Sequence, residues 1–192
     1  MKVLNNAFYN QDPITIAKAL LGKLLIRNLN NQTLIGRIVE VEAYLGPEDA
    51  ASHSYIGKTK RNQSLYLDGG HAYIHQIHMQ NCLDIVVQAR NSPRSVLIRA
   101  LEPVKGIEQM EINRGRSKLE ELTSGPGKLT QALEIDKSFD GIDVTDEDAP
   151  FYLADDGFKN FEIVSGKRVG ISKAADFEYR FYIKGNRFVS KK

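Results

Sequence analysis

Gly36-Arg37-Ile38-Val39-Glu40-Val41-Glu42-Ala43-Tyr44-Leu45-Gly46-Pro47-Glu48-Asp49 runs from a strand into a polar loop and carries two carboxylates across the join. From Leu34 to Ala43 the residues alternate. Ile35, Arg37, Val39, Val41 and Ala43 are expected on one face, and Leu34, Ile38, Glu40 and Glu42 on the other. The first set makes a core face, while the second delivers Glu42 to the strand's end. Tyr44 then offers an aromatic plate, Gly46-Pro47 turns the chain, and His53 follows in an Ala/Ser-rich loop. A carboxylate beside aromatic rings at the mouth of a strand suits a pocket for a flat base. An edge strand with merely solvated glutamates fits the same residues.

The chain has 192 residues, enough for one well-buried domain and short for two, so a single domain over 1–192 is expected. No stretch approaches the ~20 apolar residues needed to span a bilayer. The N-terminus turns polar before an apolar signal core can form, which predicts no signal peptide. Cys82 is the only cysteine, so no internal disulfide and no cysteine-pair zinc site can form. These features predict a cytoplasmic, membrane-free protein. The net charge of +2 neither demands nor excludes nucleic acid. Much of the negative charge sits between Asp140 and Asp148, which leaves the remainder distinctly basic.

Taken in order, Asp12-Pro13 opens a helix with an apolar stripe of Ile14, Ala17, Leu20 and Leu21, and Gly22 ends it. Leu24 to Arg27 and Leu34 to Ala43 form a hairpin across Asn28–Gln32. A long polar loop from Leu45 to Asp68 is of the kind that carries function. His71 to Val87 reads as two strands with a tight turn near Met79 to Asn81, and Ser95 to Leu101 as another strand. Pro103 is expected to open a helix bearing Ile107, Met110 and Glu111. Leu129 to Leu133 reads as helix, Asp136 to Pro150 as loop, and Phe151–Leu153, Glu162–Val164 and Arg180–Ile183 as strands.

Five blocks, in this order, resemble the alkylpurine (3-methyladenine) DNA glycosylase family. They are Gly36 to Asp49 with Ser52-His53-Ser54; Leu97-Ile98-Arg99-Ala100-Leu101-Glu102-Pro103; Ser124-Gly125-Pro126-Gly127-Lys128-Leu129; Arg168-Val169-Gly170-Ile171; and Arg180-Phe181-Tyr182. They cover nearly the whole chain. The resemblance implies a mixed α/β (α+β) fold, a single domain with a curved, largely antiparallel sheet surrounded by helices and a protruding β-hairpin that inserts into DNA. It implies a monofunctional glycosylase acting as a monomer on double-stranded DNA containing damaged purines, with no metal and no organic cofactor. Glu42 is expected to activate water against the sugar carbon, Arg99 to hold that water and a phosphate, and the main chain around Val169 to complete the water site. Tyr44 and His53 would stack on a flipped base. Glu40 is given a structural role.

The sequence departs from the family between Tyr73 and Asp84. Histidines stand where the family has tyrosines: His75 would flank the base, and His78 or Met79 would be the wedge that fills the gap in the duplex. Asp84 stands where an asparagine helps refuse normal guanine, and an aspartate there can accept a hydrogen bond from guanine's amine. The cluster His71, His75, His78, Cys82 and Asp84 also raises a metal-dependent hydrolase as an alternative, although its spacing matches no familiar zinc motif. A non-catalytic lesion binder is the other alternative. Ser124 to Lys128 fails as a phosphate-binding P-loop, since Leu122 stands where its first glycine belongs and Leu129 follows the lysine. Lys128 can still meet a DNA phosphate, or Ser124 can simply cap the helix.

Overall fold

In the computed structural model, which describes residues 1–191, the chain starts with a short strand β1 (Lys2–Val3) and a helical turn α1 (Asn6–Tyr9). Neither has enough periodicity to stand out in the sequence. Helix α2 (Pro13–Leu20) starts where expected: Asp12 accepts the backbone N–H groups of Ile14 and Thr15, and Pro13 has no N–H to leave unsatisfied. Strands β2 (Leu24–Leu29) and β3 (Gln32–Tyr44) then form an antiparallel hairpin. Its two-residue turn is Asn30-Asn31, both at positive φ, the conformation that matches the twist of a tight hairpin and that asparagine tolerates.

Strands β4 (Ala72–Ile77) and β5 (Gln80–Val87) make a second hairpin, and β6 (Arg94–Lys105) follows. Helices α3 (Ile107–Arg114), α4 (Leu119–Leu122) and α5 (Pro126–Ala132) come next, then strands β7 (Phe151–Asp155), β8 (Ile163–Gly166) and β9 (Arg180–Ile183). All nine strands join one sheet, ordered β1-β7-β2-β3-β6-β5-β4, with β9 pairing β3 and β8. Every pairing is antiparallel. The expected α+β class, with one continuous antiparallel sheet, is what the chain forms. Among the described residues no helix is long and apolar enough to cross a membrane.

Strand β3 is the spine. β6 lies along one edge for nearly its whole length, while the other edge is shared by β2 and, at Glu40 to Glu42, by β9. The alternation expected along β3 does not hold. Ile38 faces Leu101, Glu40 faces Ala100, and Val41 faces Ile98, so Val39 is an extra residue on β3 and Arg99 an extra residue on β6. The irregularity reverses the alternation. Leu34 and Ile38 before it, and Val39, Val41 and Ala43 after it, all join the main core. Ile35 packs on the opposite face with Leu24, Ile26 and Ala154. Glu40 and Glu42 therefore do not share a face with Leu34 and Ile38. Nor is β3 an edge strand with solvated acids, because both glutamates are 0% exposed.

Three further expectations are corrected. Pro103 opens no helix: it sits in β6 opposite Gly36, and α3 starts only after Gly106, which adopts a positive φ. The second hairpin turns at His78-Met79, both at positive φ, and Asn81 already pairs with Gln76 inside the ladder. Ser124 does not cap α5, whose N-cap is Gly125 with no side-chain cap.

At Gly36 the Leu101 side chain of β6 lies against the β3 backbone. A Cβ there would lie 2.7 Å from Leu101 Cδ1 and 2.9 Å from Leu101 Cβ, and the second atom cannot swing away. Gly36→Ala is expected to cost about 1–3 kcal/mol by overpacking. Urea denaturation should show a lower midpoint at unchanged slope.

Candidate active site

At the end of β3, Glu42 is held from three sides. Its Oε1 accepts the Val169 backbone N–H at 2.7 Å and lies 3.3 Å from Arg99 Nη1. Its Oε2 accepts the Tyr44 hydroxyl at 2.9 Å. Burial pushes the Glu42 carboxyl up. Arg99, the Val169 N–H and the Tyr44 hydroxyl pull it back, Glu40 adds to the rise, and the balance stays above the ordinary glutamate range. Such a carboxylate is a better proton acceptor than one in water.

Beyond Tyr44 opens a cavity of about 180 Å³ whose walls include His53, Tyr73, His75, Asp84, Ser95 and Gly170. Glu42 does not itself line it; Tyr44 stands between them. Tyr73, His53 and His75 form one aromatic corner. The Tyr73 and His75 rings stack with centroids 5.1 Å apart, and His53 meets His75 edge-on at 4.4 Å. His53 Nδ1 is hydrogen-bonded to the Tyr73 hydroxyl at 2.9 Å, and burial lowers the His53 pKa, which favours the neutral ring. A slot walled by π-faces results. A larger cavity of about 500 Å³ lies against the same corner and is bordered by Ile56, Arg61 and Lys137.

Asp84 lines this cavity with each of its oxygens already engaged once. Its Oδ1 is 3.1 Å from His75 Nε2, and its Oδ2 accepts the Ser95 hydroxyl at 2.7 Å. Its contact is with His75, which it orients. The other members of the histidine cluster diverge. His71 Nδ1 bonds to the Asp68 carbonyl, and His78 sits at the exposed hairpin tip. Burial pushes the Cys82 thiol up to about 12. Among the described residues no three His, Cys, Asp or Glu side chains are arranged to hold a metal.

His78 and Met79 project together from the β4–β5 turn, and Met79 is 94% exposed. Lys128 lies half-buried on α5 and lines neither cavity. The glycine before it has a packing role: a Cβ on Gly127 would lie 2.8 Å from Gln80 Cβ, beside the turn of the hairpin.

Three residues of the site carried no assigned role in the sequence. Tyr73 was legible by its spacing of two from His71 and His75. Asp49 and Arg168 were not, since nothing in a sequence pairs positions 119 apart. Arg168 Nη1 donates to Asp49 Oδ2 at 2.5 Å and Nη2 to Oδ1 at 2.8 Å, and the pair is almost wholly buried. Arg168 also donates to the Ala43 carbonyl and lies over the Tyr44 ring. This clamp fixes the backbone N–H of the next residue, Val169, on Glu42.

Comparison with known proteins bears on what such a site does. The profile of a family described as methylpurine-DNA glycosylase matches residues 7–187. A Clostridium perfringens protein provisionally named 3-methyladenine DNA glycosylase is 46% identical, covering 98% of this chain and 99% of its own. One of the same provisional name from Francisella tularensis is 48% identical over 93% and 94%. Another, from Clostridium novyi, is 45% identical over the full length of both.

Burial raises the Asp49 carboxyl, but the Arg168 guanidinium and the Ala51 and Leu45 N–H groups outweigh it and hold it below the ordinary aspartate range. Such a group stabilises the fold above its unfolded pKa, and that contribution is lost as pH falls through the lowered folded value. Asp49→Asn, which leaves a buried guanidinium without its carboxylate, is expected to cost about 3–5 kcal/mol at neutral pH. In strong acid its deficit against the parent protein should shrink. Urea denaturation at both pH values measures this.

Proposed function

This chain belongs to the methylpurine-DNA glycosylase family, and on that premise we propose that it excises alkylated, and also deaminated, purines from duplex DNA by base flipping and Glu42-activated water. It is a monofunctional hydrolase that leaves an abasic site. The observation that carries this reading is a fully buried carboxylate, raised in pKa, directly behind the Tyr44 wall of an aromatic cavity.

The damaged purine leaves the duplex and enters the slot between Tyr44 and the His53–His75 corner. The unstacking and unpairing it has lost, worth a few kcal/mol, is offset by contact with these rings. His78 and Met79 at the hairpin tip fill the gap, and Lys128 meets backbone phosphate. Glu42 Oε2 exchanges its hydrogen bond from Tyr44 for one from water. As the N-glycosidic bond breaks, its electron pair leaves with the purine, and alkylation at position 3 or 7 makes that purine a good leaving group. The water oxygen bonds to C1′ of deoxyribose and its proton passes to Glu42. Arg99 and the Val169 N–H keep the carboxylate aimed. The exposed cations Arg61 and Lys137 on the rim of the outer cavity support a DNA backbone running past them. The protein acts as a monomer on DNA, in the cytoplasm and at the nucleoid.

Glu42→Gln is expected to lower single-turnover excision by roughly 10²-fold or more while abasic or lesion DNA still binds. Unchanged excision would mean that the protein binds lesions without this chemistry. Because Glu42 must be ionised to act and its pKa is raised, the rate should fall with acid from above the ordinary glutamate range. A pH–rate profile on 7-methylguanine-containing DNA measures it.

Replacing both His78 and Met79 with alanine should slow excision more from fully paired lesion duplexes than from mismatched ones. Equal slowing on both would contradict the wedge role.

A further inference from the structure

The chemistry proposed above leaves a second buried carboxylate without a use. Glu40, 0% exposed, lies two residues before Glu42 on β3. Its Oε1 accepts Arg180 Nε at 2.6 Å and stands 3.4 Å from Arg99 Nε, and its Oε2 accepts the Ser190 backbone N–H at 2.6 Å. Arg99 also donates from Nη2 to Ser190 Oγ at 3.5 Å, and Arg180 Nη2 donates to the Lys191 carbonyl. Phe188 and Val189, both buried, anchor the segment that supplies these contacts. Residues 188–191 thus lie as a strap across the back of the site.

Arg99 is therefore shared. It is the extra residue of β6, and a bulged position re-aims its side chain, here between the two glutamates. A guanidinium committed to one carboxylate makes charge-assisted hydrogen bonds of about 2.7–2.9 Å. Arg99 reaches neither partner at that distance: it stands 3.4 Å from Glu40 and 3.3 Å from Glu42. Among the described residues its buried Nε has no hydrogen-bond partner. Glu40, by contrast, is pinned at 2.6 Å by two other donors. It cannot shift to take Arg99 for itself.

We propose that Glu40 is a positioning residue: pinned by Arg180 and the Ser190 N–H, it holds Arg99 at a loose distance from Glu42 and so keeps Glu42 basic enough to accept a proton. The inference rests on the reading of Glu42 as the general base. Several ionisable groups face or flank Glu42. Arg99 comes from β6, Arg180 lies opposite on β9, and Arg168 stands beside Val169, while Tyr44 follows on β3 and Cys82 comes from β5. Burial pushes the last two up, so they are neutral. The nearby carboxylate Asp84 is engaged by His75 and Ser95. Glu40 is the negative charge that acts on Glu42, in the raising direction.

The test is the pH–rate profile of single-turnover excision from 7-methylguanine-containing duplex for three variants of the full chain. Glu42→Gln checks the underlying reading. Glu40→Gln keeps shape and an acceptor for Ser190 but removes the charge, so Arg99 closes on Glu42 and the acid limb should move down by roughly half a pH unit or more. Ser190→Pro removes the N–H that pins Glu40, together with the Ser190 hydroxyl that accepts from Arg99 Nη2. Arg99 is then drawn towards Glu40, and the limb should move up. Should Glu40→Gln fail to fold, Ser190→Pro decides alone, because it leaves all four charges in place. If Glu42→Gln abolishes excision while the folded variants keep the parent's acid limb, the positioning role is overturned and the base assignment stands. If Glu42→Gln excises normally, the base assignment itself is wrong.

Discussion

Four charges buried together constrain everything else in this protein. Glu40, Glu42, Arg99 and Arg180 meet where β3, β6 and β9 pair, and each is at most 8% exposed. Desolvating one such ion costs several kcal/mol, and only its mutual contacts with good geometry offset that. The cluster is balanced, two carboxylates against two guanidiniums, and removing any one leaves an uncompensated charge in the sheet. It also fixes register. A slip of one residue between β3 and β6 would turn the glutamates into the main core and Val39, Val41 and Ala43 out of it. The extra residues Val39 and Arg99 are how the sheet keeps both an apolar face and a charged one at the same level.

Outward from that centre, rigid and loose contacts divide the work. The Arg168–Asp49 pair is short and two-pronged, and ties the loop after β3 to the loop that carries Val169. It is scaffolding. The Arg99–Glu42 contact is longer and shared, which suits a group that must change its protonation state. Between them Tyr44 donates to Glu42 and walls the carboxylate off from the cavity. Preorganised dipoles in a dry site act more strongly than in water.

Much of this was legible in the sequence, and the part that was not has a common cause. Local chemistry read correctly: Asp12-Pro13 caps α2, the expected Asn28–Gln32 connection contains the Asn30-Asn31 turn, and the strand expected over Leu34–Ala43 lies within β3. Motif blocks gave the family. What failed depended on partners far along the chain. The reversal of alternation at Val39 belongs to the β3–β6 pair, not to β3. Pro103 looked like a helix start because proline favours that position, yet β6 continues through it opposite a glycine. The contacts of Asp84 with His75 and Ser95 likewise cannot be seen in a string of letters.

Glu42 sits in a buried, shared-charge site that raises its affinity for a proton. The most direct measurement is the titration of its side-chain carboxyl carbon, followed by carbon-13 NMR in the free protein and assigned by the signal missing from Glu42→Gln. The account predicts a midpoint clearly above that of an ordinary glutamate. A midpoint at or below the ordinary value would mean that Arg99 holds Glu42 as a simple ion pair, and would contradict it.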